Sequence, residues 1–119
     1  MNGLILFAHG SRDPIWAQPF ESMLARIQQA APDMPCELAY LELMQPDFAA
    51  VTASLVERGV THIRVLPAFL AVGKHLRVDL PEFIEQAHAL HPGLSIEALP
   101  AAGLTDTLQN AIVELALKA

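Results

Sequence analysis

The chain has 119 residues, 53% of them hydrophobic, and a formal net charge of -6. That length holds one domain, 1–119, with a single core, and an acidic balance without a dense Lys/Arg cluster excludes nucleic acid as a partner. The single cysteine, Cys36, can form no internal disulfide, and the apolar run near the amino terminus is too short to span a bilayer, so the expectation is a cytoplasmic protein with no membrane partner.

In chain order, Gly3 to Ala8 (GLILFA) is a near-continuous apolar run, as suits a strand covered on both faces. It runs into His9-Gly10-Ser11-Arg12-Asp13-Pro14, a loop whose Asp-Pro favours the start of a helix. From Ile15 to Ala30 the spacing of Phe20, Met23, Leu24 and Ile27 gives one helical stripe, with Pro19 either opening the helix or disturbing its first turn. Pro32 and Pro35 punctuate a turn before a second strand, Cys36 to Leu43. Pro46 then opens a helix that carries Phe48, Val51 and Leu55 and closes at Gly59.

His62 to Leu66 (HIRVL) reads as the third strand, ending near Pro67, because proline inside a central strand would remove a ladder hydrogen bond. A loop carrying Gly73, Lys74, His75 and Arg77 follows. It gives way to a helix with Leu80, Phe83, Ile84 and Ala87 on one stripe. Pro92-Gly93 turns the chain into Leu94 to Leu99, whose alternating Ser95 and Glu97 suit a strand at the sheet edge. Leu104, Leu108, Ile112 and Leu115 mark a last helix. Strands separated by helices imply an α/β fold with right-handed crossovers: a four-stranded parallel sheet with helices on both faces. Four strands are few for such a sheet, and a mean hydropathy of +0.36 is rich for so small a chain, so apolar surface is expected to be left over for a partner subunit.

Parallel strands share one carboxyl-end rim, where an open α/β sheet binds ligands. His9, Glu42 and His75 fall there. Two imidazoles and a carboxylate suit divalent Co, Ni, Fe or Zn, but the spacing is no local metal motif, and a strand-end histidine bonded to nearby backbone meets the same pattern. Three of the seven Lys/Arg residues, Arg12, Lys74 and Arg77, lie within three residues of His9 or His75. Cations concentrated in this way would attract a polyanion, the plainer alternative being exposed loop charges.

Other constellations fail. Gly73-Lys74 lacks the earlier glycine and the Ser/Thr of a phosphate loop, and Ser11 lacks the following glycine of a nucleophile elbow. Cys36 lies in a strand and reads as core, while His62, His88 and His91 flank elements and read as surface or capping residues. A receiver-like signalling domain would want a fifth strand and an acidic pair where this chain has His9-Gly10.

HGSRDP at 9–14, the strand-end LEL followed by Pro46, and PAFLAVGKHLRVDLP at 67–81 resemble the short CbiX class of sirohydrochlorin chelatases over nearly the whole chain. Ala68 and Leu80 stand where the family often has Leu and Ile. The resemblance implies half of a class II chelatase, of flavodoxin-like topology, acting as a homodimer with the cavity between subunits. It implies a lyase that inserts a divalent metal into sirohydrochlorin, Co²⁺ first and Fe²⁺ or Ni²⁺ as alternatives, the metal being substrate and no organic cofactor being needed. By the same resemblance His9 and His75 are the metal and catalytic residues, joined by Glu42; a carboxylate-rich substrate of that kind would then be bound by the gathered cations Arg12, Lys74 and Arg77, with Ser11 beside them. A non-catalytic metal or tetrapyrrole carrier on the same half-fold is the competing class.

Overall fold

Leu4 to Ala8 have both neighbours and both faces covered, which is why five successive apolar residues can form the central strand β1, Asn2–Ala8. A computed structural model of the chain describes residues 1–118. The other strands are β2, Cys36–Tyr40, β3, His62–Pro67, and β4, Ser95–Ala98, and the helices are α1, Gln18–Ala30, α2, Phe48–Glu57, α3, Lys74–Leu90, and α4, Asp106–Lys118. Short 3-10 turns precede α1 and α4, at Pro14–Ala17 and Ala102–Leu104. The sheet order is β2-β1-β3-β4 with every pairing parallel, and β4 is the expected edge strand.

The alternation of β1 side chains splits the core in two. Ile5 and Phe7 face α2 and α3 and meet Phe48, Val51, Leu55, Leu76 and Leu80. Leu6 and Ala8 face α1 and meet Trp16, Ala17, Phe20, Leu24 and Ile27. Asp47 starts α2 by accepting the Ala50 N–H at 2.9 Å, filling one of the donors that every helix leaves open. Pro19 resolves as a first-turn residue of α1, where its missing N–H has no partner to lose.

Two boundaries and one packing expectation depart from the sequence reading. β2 stops at Tyr40 and does not reach Leu43, because Tyr40 bridges to Asp47 while the chain between them folds back through Leu43 at φ 66 and a cis Gln45-Pro46 bond. α3 begins at Lys74, so Lys74, His75 and Arg77 stand on a helix and not in a loop, and Pro81 lies inside that helix. The last departure is in packing: α4 buries none of its residues, and Leu104, Ile112 and Leu115 of its expected core stripe are exposed.

Candidate functional site

The loops after β1 and β2 are stitched to each other beyond the end of the sheet. The Leu41 N–H donates to Ala8 O at 2.8 Å and the Glu42 N–H to His9 O at 3.1 Å, which carries the pairing two residues past β2 and one past β1. Gly10 makes this possible. Its φ is 96, and a Cβ there would stand 1.8 Å from the Glu42 carbonyl oxygen, so only glycine lets the two backbones approach this closely. His9 and Glu42 are thereby set side by side.

Their geometry is that of an open ligand pair. The His9 Nδ1 lies 3.2 Å from the carbonyl of Gly10, and since a carbonyl can only accept, Nδ1 donates there and leaves Nε2 as the ring nitrogen turned toward Glu42. Nε2 faces Glu42 Oε1 across 3.6 Å, too long for a hydrogen bond. At the usual ligand distance of about 2.1 Å, two donors on one tetrahedral ion stand about 3.4 Å apart, so the gap fits a cation held between them. Both side chains are about half exposed, at 48% and 53%, which leaves such an ion open to a second partner. Phe69, from the segment after β3, sets the His9 ring from the other side with centroids 5.9 Å apart.

His75 occupies the same rim but a separate setting. It is the second residue of α3, 85% exposed, with its Nδ1 3.9 Å from Asp79 Oδ2 one turn on. Among the described residues no three His, Cys, Asp or Glu side chains gather within reach of one ion. One copy of the chain therefore brings together His9 and Glu42 and leaves His75 paired with Asp79. Asp79 and Phe69 escaped the sequence reading, although the i,i+4 spacing of His75 and Asp79 signals the first once the segment is helical.

The cations are free. Arg12, Lys74 and Arg77 are exposed and make no ion pair among the described residues, whereas Arg58 is bound to Glu37 and Lys118 to Glu114. Ser11 Oγ accepts the Asp13 N–H at 3.1 Å, and Asp13 in turn accepts from Ile15, so this hydroxyl shapes the loop that carries Arg12. The Gly73 end of α3 adds the partial positive charge of a helix amino terminus beside Lys74 and His75.

The remaining candidates stay away from the rim. Burial and the neighbouring Glu37 push the Cys36 thiol up to about 11, so it remains protonated and inert. His62 opens β3 at the opposite end of the sheet, beside Ser95 and Glu97, and His91 caps α3. No described helix is long and apolar enough to cross a membrane.

The CbiX family model matches residues 3–119. A sirohydrochlorin cobaltochelatase of Methanopyrus kandleri is 31% identical over 84 residues, which is 71% of this chain and 59% of that one. Another, of Methanococcoides burtonii, is 31% identical over 83 residues, 70% of this chain and 63% of the relative, so the matched stretch spans about three fifths of either. Among solved structures, a putative cobalamin biosynthesis CbiX protein of Marinobacter aquaeolei VT8 superposes with a TM-score of 0.87 at 32% identity, covering 99% of this chain and 96% of that one. The sirohydrochlorin chelatase SirB of Bacillus subtilis, in complex with cobalt, superposes at 0.79 with 25% identity, covering 98% of this chain and 50% of the other.

Proposed function

The chain belongs to the CbiX family, and from that premise we propose that it inserts divalent cobalt into sirohydrochlorin, with His9, Glu42 and His75 as the working groups. The observation that carries this reading is the open pair at the rim: His9 Nε2 and a Glu42 carboxylate oxygen 3.6 Å apart, half exposed and short of a closed ligand set. An ion held by few protein donors can be handed on. A structural site, with four donors, would keep it.

Metallation replaces two ring N–H hydrogens with the metal, so a base must take two protons as the ion enters. The His75 imidazole, reached from solvent at 85% exposure, is suited to that task, and Asp79 one turn on steadies the imidazolium that results. The Glu42 carboxylate faces the same ion as His9 and compensates its charge during transfer. Sirohydrochlorin bears many carboxylates, and Arg12, Lys74 and Arg77, unpaired and on one rim, hold them by charge-assisted bonds while Ser11 fixes the Arg12 loop. Steering of this kind works despite the net charge of -6, because the cations are gathered where the substrate arrives.

Two copies of the chain make the working unit. In support, this chain covers half of the Bacillus chelatase, so two copies supply what the longer chain carries in one. Each copy then brings one His9, Glu42 and His75 set. No organic cofactor takes part in this scheme.

Absorbance of sirohydrochlorin, followed with purified protein well below substrate concentration and with Co²⁺, Fe²⁺ or Ni²⁺ in turn, tests the reading. Catalysis predicts many equivalents of metallated product per chain, fastest with cobalt. A single equivalent would make the protein a carrier, and a faster rate with iron or nickel would reassign the metal.

A further inference from the structure

The backbone that follows β3 has little support of its own. Among the described residues, 69–72 make one backbone hydrogen bond, in which the Gly103 N–H donates to Phe69 O at 2.8 Å. A Cβ on Gly103 would overlap the carbonyl oxygen of Leu70, so no other residue type fits against this segment. Gly103 is itself buried and held. Gln109 Nε2 donates to its carbonyl at 3.0 Å, and the Thr105 hydroxyl donates to Ala102 O at 2.6 Å.

What this clamp keeps in place is the Phe69 ring. It stacks on the fully buried Phe7 with centroids 6.2 Å apart and planes 15° from parallel, and it meets the His9 imidazole at 5.9 Å. The His9 ring has one hydrogen bond of its own, from Nδ1 to the Gly10 carbonyl at 3.2 Å. The outer torsion of a histidine is broad and weakly preferred, so a single bond leaves the ring room to turn. A second ring packed at its side takes that room away.

We propose that Gly103 is a positioning residue for the metal pair: it seats the Phe69 backbone, and through the Phe69 ring it keeps the His9 imidazole aimed at Glu42. The inference rests on the reading of His9 and Glu42 as metal donors given above. The other glycines support it by contrast. Of the six in the chain, only Gly10 and Gly103 would drive a Cβ into a neighbouring backbone, whereas Gly59, Gly73 and Gly93 have open space there. Those two serve one imidazole: Gly10 draws in Glu42, and Gly103 draws in Phe69. A shift of about 1 Å in a group that holds a reacting atom can cost about a hundredfold in rate, so a tight seat remote in the chain has a direct chemical consequence.

The test reads cobalt binding by the full chain without any tetrapyrrole, by equilibrium dialysis against Co²⁺. H9A should bind far more weakly than wild type. F69L keeps apolar bulk but loses the flat ring, and G103A forces the segment off its seat; each should weaken binding about tenfold, the scale for a residue that orients a metal ligand. Because both act along one path, the double variant should lose no more than the worse single one. L55V loosens the buried core at the far end of α2 and should lower the melting temperature with cobalt binding unchanged. With sirohydrochlorin present, F69L should lower kcat for cobalt insertion and leave KM as it was.

Circular dichroism checks each fold. Where G103A does not fold, Q109A takes its place, loosening the clamp without adding bulk and weakening binding by about twofold or more. Wild-type affinity in F69L and in G103A or Q109A, with H9A weak, would leave the metal pair standing and overturn the clamp. Losses that add in the double variant, or a loss in L55V as large as in F69L, would overturn it too. Equal binding by wild type and H9A would remove the metal reading and this inference with it.

Discussion

On the α2 and α3 side of the sheet, Phe7 meets Phe48 and Phe83 edge to face at 5.7 and 6.4 Å, and Phe48 stacks on Phe83. On the α1 side, one residue earlier in the same strand, Leu6 lines an open groove. Both residues are buried and both are apolar, so residue type does not separate them. The difference lies in which elements are at hand: two helices close the first face within one copy, and the second face has only α1. The chain thus completes one half of its core within one copy and leaves the other half open.

The largest effect expected from this contrast is at Phe7. F7A removes the ring on which three other phenylalanines converge, and the cavity should cost about 3–5 kcal/mol in urea unfolding. A loss below about 1 kcal/mol would mean that the closed face is not where the chain's stability sits. I27A, on the open face, should cost about 1–2 kcal/mol, because Ile27 is only partly buried in one copy. Its cost should also grow with protein concentration if the groove fills on association. An equal loss for the two variants at every concentration would erase the contrast.

Cys36 marks where the open face becomes closed. It is buried under α1, and the Gln28 side chain donates to its carbonyl at 3.0 Å. A thiol raised from the ordinary 9.0 to about 11 should resist alkylation in the native chain at pH 8 and react on unfolding. The sign of the linkage follows. The neutral thiol is the form the fold tolerates, so its contribution is complete below pH 9.0 and is lost as pH rises toward about 11. Rapid native labelling at pH 8 would show that α1 does not seal that edge.

The four β-α units were legible because each strand is an apolar run and each helix a 3.6-residue stripe, and the rim followed because parallel strands put His9, Glu42 and His75 on one edge. Tyr40 to Leu43 misled because Leu-Glu-Leu alternates like a strand, while the turn that ends β2 depends on a left-handed Leu43 that composition does not announce. The start of α3 was hidden for a related reason. Gly73 caps it without a side-chain hydrogen bond and Pro81 suggests a break, so neither of the usual boundary signals marks Lys74. The α4 stripe was read correctly as apolar. What the spacing could not carry is that none of the described elements covers it.

At the rim, the central claim is that the His75 imidazole on α3 takes ring protons as the metal held by the His9 and Glu42 pair enters the macrocycle. The most direct test is the initial rate of cobalt insertion into sirohydrochlorin by H75A, with circular dichroism to confirm that the exposed substitution leaves the fold intact. The expected result is a loss of about a hundredfold or more, the scale of a missing general base. A rate equal to that of the unsubstituted chain would contradict it.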